Sequence, residues 1–153
     1  MNYPLLLTQA AALVENERHP VPNLANLSAL LWEHMDGINW AGFYLTVKEE
    51  LLLGPFQGKP ACIRIPWGKG VCGSAAAQGK VLVVPDVHSF SGHIACDSSS
   101  RSEIVAPLLY ENRVVGVLDI DSPTLARFTP EDAAGLEQLA QLAATACDWD
   151  LFA

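Results

Sequence analysis

The chain has 153 residues, half of them hydrophobic, and carries a formal net charge of -8. That length fits one domain, 1–153, and that composition fills a real core, which sets aside disordered and multidomain architectures. Nine Lys and Arg, scattered singly among seventeen Asp and Glu, form no patch for counterion release on a phosphate backbone, so nucleic acid is excluded as a partner.

The amino terminus lacks a positive n-region, and its apolar stretch is soon broken by Glu15, Glu17 and Arg18. It is neither a signal peptide nor a membrane span, which predicts a cytoplasmic protein without membrane partners. Residues 5–14 read as a first helix. After the turn-forming His19-Pro20-Val21-Pro22-Asn23, the residues Leu24, Leu27, Leu30, Leu31 and Met35 recur at helical spacing and predict an amphipathic helix. From Asn39 the period becomes two: Ala41, Phe43 and Leu45 point one way and Trp40, Gly42 and Tyr44 the other, a strand with two apolar faces.

Residues 51–53, 63–65 and 80–84 read as short strands bounded by Gly or Pro, with an alanine-rich helix over 71–78 between them. Residues 85–101 have little periodicity and predict a long surface loop acting as a lid. Residues 103–110 and 114–121 form a hairpin across Glu111-Asn112-Arg113. Thr129 and Pro130 then start a last helix that buries Leu136, Leu139 and Leu142. Helices at both ends around hairpin-connected strands predict an α+β fold, a mostly antiparallel central sheet flanked by N- and C-terminal helices.

Gly68-Lys69-Gly70-Val71-Cys72-Gly73 has the spacing of a dinucleotide-binding loop, but Pro66 and Trp67 separate it from any strand. It reads either as a structural turn or as a helix start whose amides hold a carboxylate. The spacing of Cys62, Cys72 and Cys96 matches no close-paired zinc pattern, and His88 and His93 add no compact second pair, so no metal is expected. Cys72 at a helix N-terminus and Cys96 in a polar loop beside His93 and Asp97 both suit a thiolate, whereas Cys147 reads as an inert core residue.

Asp119 and Asp121 share one face of their strand, and a hairpin pivoting on Asn112 sets Glu103 opposite Asp121. Three acids on one patch either attract an ammonium group or hold one carboxyl protonated. Trp40 and Tyr44, on one strand face, are either ordinary core aromatics or a wall for a thioether-like methyl group.

Trp40-Ala41-Gly42-Phe43-Tyr44, Gly54-Pro55-Phe56-Gln57-Gly58, the run from Ile65 through Cys72 to Gly73, His93-Ile94-Ala95-Cys96-Asp97 and Asp119-Ile120-Asp121-Ser122-Pro123 together resemble the free methionine-(R)-sulfoxide reductases, a branch of the GAF superfamily. The resemblance covers nearly the whole chain. It implies that Cys96 attacks the sulfoxide and that Cys62 and Cys72 resolve the resulting sulfenic acid. It also implies that Glu103, Asp119 and Asp121 bind substrate and that Trp40 and Tyr44 close over its sulfur end. Free methionine-(R)-sulfoxide would be the substrate and a thioredoxin-like dithiol the reductant, with no bound cofactor and with room for a homodimer. A non-catalytic GAF sensor of small ligands would share the fold but would not require the three thiols.

Overall fold

The computed structural model describes residues 1–92 and 99–152. The expected nucleophile Cys96, with the rest of 93–98 in the middle of the expected lid, lies outside the described residues. Helix α1, Tyr3–Val14, starts at Asn2, whose side chain accepts a hydrogen bond from the Leu5 amide, and α2 spans Pro20–His34. Two strands follow, β1 at Trp40–Val47 and β2 at Glu50–Gly58, then β3 at Arg64–Pro66, helix α3 at Gly70–Gln78 and β4 at Leu82–Val84. Strands β5, Ser102–Tyr110, and β6, Arg113–Ser122, complete one sheet of order β3-β2-β1-β6-β5-β4 in which every pairing is antiparallel. Helix α4 covers Pro130–Ala146.

The period-two alternation of β1 explains how the sheet separates two cores. Ala41, Phe43 and Leu45 join the leucines of α1, α2 and α4 on one face, while Trp40 and Tyr44 join Val71, Cys72 and Ala75 of α3 on the other. The β5–β6 hairpin turns through Glu111 and Asn112, whose φ values of 50° and 63° are both left-handed, as a two-residue primed turn requires. Helix α4 opens with a reciprocal cap: the Asp132 amide donates to the Thr129 hydroxyl and the Thr129 amide to the Asp132 carboxylate. Tyr3 donates to Asp132 at 2.5 Å and ties α1 to that cap.

Three expectations are corrected. Strand β2 is much longer than 51–53, because a bulge opposite Phe43 absorbs Gly54 and Pro55 and lets pairing resume at Phe56. The region 85–101 is not irregular at its start: Asp86 caps a 3-10 turn over Val87–Ser89, and the Val87 amide donates to the Arg101 carbonyl at 2.8 Å. Leu142 is only partly buried, at the margin of the core that Leu136 and Leu139 enter fully. Among the described residues no helix is long and apolar enough to cross a membrane.

Candidate active site

Strand register assembles the polar patch. Trp40 of β1 pairs with Asp121 of β6, which in turn pairs with Glu103 of β5, and Gly42 pairs with Asp119 two residues along the same face. Helix α3 packs over β5 and β6 and lowers Cys72 onto this row. The result is a cavity of about 50 Å³, room for a few water-sized groups, between the aromatic pair Trp40 and Tyr44 and the acids Glu103, Asp119 and Asp121. Glu103 does stand opposite Asp121, but not by a pivot on Asn112: the turn is centred between Glu111 and Asn112, with Tyr110 paired to Arg113, and an irregularity at Leu108/Leu109 shifts the register by one and so brings the three acids together.

The electrostatics of this floor follow from burial. Glu103, Asp119 and Cys72 are almost fully removed from solvent, and the Cys72 thiol lies 3.7 Å from a Glu103 carboxylate oxygen. Burial, reinforced by the charges of Asp119 and Asp121, pushes the Glu103 carboxyl well above its ordinary range. Burial also raises Asp119, although hydrogen bonding with Glu103 and Cys72 opposes it. Neither Glu103 nor Asp119 is ion-paired among the described residues, and Lys69, which also lines the cavity, is exposed. Asp119 Oδ1 is buried without a hydrogen-bond partner.

The same environment overturns the expectation of a thiolate at Cys72. Desolvation first, then the charges of Asp119 and Glu103, raise this thiol well above its ordinary value. A helix terminus acts through partial charges close by, and here complete burial, with the acidic surroundings adding to it, outweighs that effect. The Gly68 to Gly73 segment is a tight turn: the Gly68 amide donates to the Gly73 carbonyl at 2.8 Å, Lys69 to Pro66 and Gly70 to Gly92.

The aromatic wall is larger than the pair singled out from the sequence. Phe56 stacks on Trp40 at 5.0 Å between centroids, and Trp40 in turn stacks on Tyr44 at 5.8 Å. Gly42 makes this possible, since a Cβ there would meet the Phe56 Cβ at 2.3 Å. Phe56 could be found only with the register of β2 in hand. The polar tips of the wall reach the connection after β2: Trp40 Nε1 donates to the Lys59 carbonyl at 3.1 Å and the Tyr44 hydroxyl to the Cys62 carbonyl at 2.9 Å. Cys62 is disulfide-bonded, whereas Cys72 and Cys147 are free thiols. Cys147 sits in the core with the Asn23 amide donating to its sulfur.

The chain as a whole is similar to known proteins. The GAF domain family matches residues 7–147. The free methionine-R-sulfoxide reductase of Escherichia coli K12 is 58% identical over 128 residues, covering 84% of this chain and 78% of that protein. Among solved structures, the reduced form of fRMsr of Staphylococcus aureus superposes with a TM-score of 0.92 at 52% identity, covering 95% of this chain and 94% of that one. The free methionine-R-sulfoxide reductase of Neisseria meningitidis, in complex with its substrate, gives a TM-score of 0.91 at 49% identity, covering 94% and 87%.

Proposed function

The chain belongs to the GAF-domain family and, within it, to the free methionine-R-sulfoxide reductases, and on that premise we propose that it reduces free methionine-(R)-sulfoxide by cysteine chemistry alone. The observation that carries this reading is the acidic row of buried Glu103 and Asp119 with half-buried Asp121 at the base of an aromatic-walled cavity lined also by Cys72 and bordered by the segment that bears Cys62. The substrate's α-ammonium answers the negative charge of Asp119 and Asp121. Trp40 and Tyr44 enclose its sulfur end, where each sulfur-aromatic contact contributes about 0.3 to 1.5 kcal/mol.

In the proposed reaction the Cys96 thiolate attacks the sulfoxide sulfur while a carboxylic acid protonates the oxygen. Methionine leaves and the oxygen stays on Cys96 as a sulfenic acid. Glu103, kept protonated by its buried surroundings, is the acid we assign to that proton. The Cys62 thiol then attacks the Cys96 sulfur, the oxygen departs as water and a disulfide closes, so the two electrons given to the substrate come from the thiol pair. A thioredoxin-like dithiol reopens the disulfide by exchange. The cycle uses no bound cofactor, and the whole of 1–153 serves it as one catalytic unit.

Two features support this division of roles. Cys62 is engaged in a disulfide while Cys72 is a free thiol, which suits Cys62 as the first resolving residue. Cys72 is held protonated by burial among acids, which suits a reserve thiol in recycling better than a nucleophile. The test is a rapid-quench measurement of methionine release in the absence of external dithiol. Wild type should release one equivalent from the R sulfoxide and none from the S form; Cys96→Ser should release none; Cys62→Ser should keep the burst but lose efficient recycling. A full burst from Cys96→Ser would sink the assignment.

A further inference from the structure

Three ligating atoms from three elements meet at the cavity floor. The Cys72 sulfur from α3, a Glu103 oxygen from β5 and an Asp119 oxygen from β6 all lie within 4.8 Å of one another, and all three residues are buried. In a tetrahedral zinc centre with Zn–S near 2.3 Å and Zn–O near 2.1 Å, the sulfur-to-oxygen edge is about 3.6 Å. The Cys72 Sγ to Glu103 Oε2 separation is 3.7 Å. Independently of that spacing, Asp119 is only 5% exposed and lines the cavity with an Oδ1 that has no hydrogen-bond partner. A buried carboxylate oxygen left in this state is costly unless a ligand completes it.

We propose that Cys72, Glu103 and Asp119 form a binding site for a divalent cation of zinc type, and that the bound metal excludes the sulfoxide substrate. One thiolate with two carboxylates favours a borderline-soft ion over magnesium or calcium, which demand more oxygen ligands than this small cavity supplies. The fourth position is left to water. Binding releases the Cys72 proton and any proton held between the two carboxyls, and the Zn–S and Zn–O bonds join α3 to the β5–β6 hairpin. The metal is an inhibitor here and has no part in the proposed reaction, in which it would occupy the place of the α-ammonium. Sequence spacing gave no sign of it because residues 72, 103 and 119 come together only through the register of the hairpin and the docking of α3.

The experiment uses the disulfide form, in which Cys62 is bonded and, among the described residues, Cys72 and Cys147 are free thiols. That form cannot turn over, so metal binding is read separately from the reductase proposal. Titration with cobalt(II) should saturate at one equivalent with a near-ultraviolet thiolate-to-cobalt absorption and proton release in weak buffer; zinc should displace the cobalt and magnesium should not. Cys72→Ser should remove the absorption. Asp119→Asn, which replaces a charged ligand, should weaken binding by more than the roughly tenfold that loss of a mere outer-shell partner costs while keeping the absorption at saturation, and it tests the site independently if Cys72→Ser does not fold. In the reduced enzyme, zinc should raise KM for methionine sulfoxide and leave kcat unchanged. No thiolate absorption in wild type, an undiminished one in folded Cys72→Ser, or unchanged affinity in Asp119→Asn would each overturn the site.

Discussion

Glu103 shows how a single residue can trade stability for chemistry. Its carboxyl is raised above the ordinary value of 4.5, first by burial and then by Asp119 and Asp121, so between the unfolded and folded values the native state holds the proton that the unfolded state has lost. Its contribution is therefore fully present at pH values below 4.5 and is lost as pH rises towards the folded value, by up to about 1.4 kcal/mol per pH unit for one proton. Glu103→Gln cannot lose a proton, and urea unfolding from pH 4.5 to 8 should show it gaining on wild type as pH rises. Parallel pH dependences for the two proteins would contradict the buried, protonated assignment. Asp132 has the opposite sign: burial opposes ionisation, but hydrogen bonds from Tyr3 and Thr129 outweigh it and lower the carboxyl. That stabilisation is present above the ordinary carboxylate value and is lost as pH falls through the depressed one.

Strand β1 links the two halves of the proposed chemistry. One end of its inner face stacks into the aromatic wall, and the same side chains tether the β2–β3 connection through the Lys59 and Cys62 carbonyls. Tyr44→Phe keeps the ring but removes the tether on Cys62. It should cost about 1 kcal/mol of stability and slow disulfide closure while leaving the methionine burst near the wild-type rate, both measurable by melting and by rapid quench with thiol trapping. Equal closure rates would mean that the tether does not position Cys62. The alternation in β1, the hairpin turn at Asn112 and the cap at Thr129 are legible in the sequence because each is written in neighbouring residues. The full length of β2 is not, because Pro55 reads locally as a stop and only pairing with β1 shows the bulge that accommodates it. Phe56 is hidden with it, and the protonation state of Cys72 escapes a local reading because acids remote in sequence dominate its surroundings.

At the scale of the molecule, the sheet divides labour between its faces. Helices α1, α2 and α4 close a largely apolar core on one side, where the buried polar groups Asn23, Ser28 and Asp132 are hydrogen-bonded, and the acids of the cavity are confined to the α3 side of the sheet. The fold alone is compatible with ligand sensing as well as catalysis, and the acids narrow the choice, since a cyclic nucleotide would bring its phosphate against them. Central to the proposed function is recognition of the α-ammonium of a free amino acid by this anionic row. An acylated nitrogen has no charge to offer, and losing a buried charge pairing typically costs about 2 to 5 kcal/mol, a factor of roughly thirty to several thousand. The most direct test is competition between free methionine-(R)-sulfoxide and its N-acetyl derivative at equal concentration, in wild type and in Asp121→Asn. Ammonium recognition predicts a strong wild-type preference for the free substrate and a much smaller preference in the variant; comparable turnover of both substrates by the wild-type protein would contradict it.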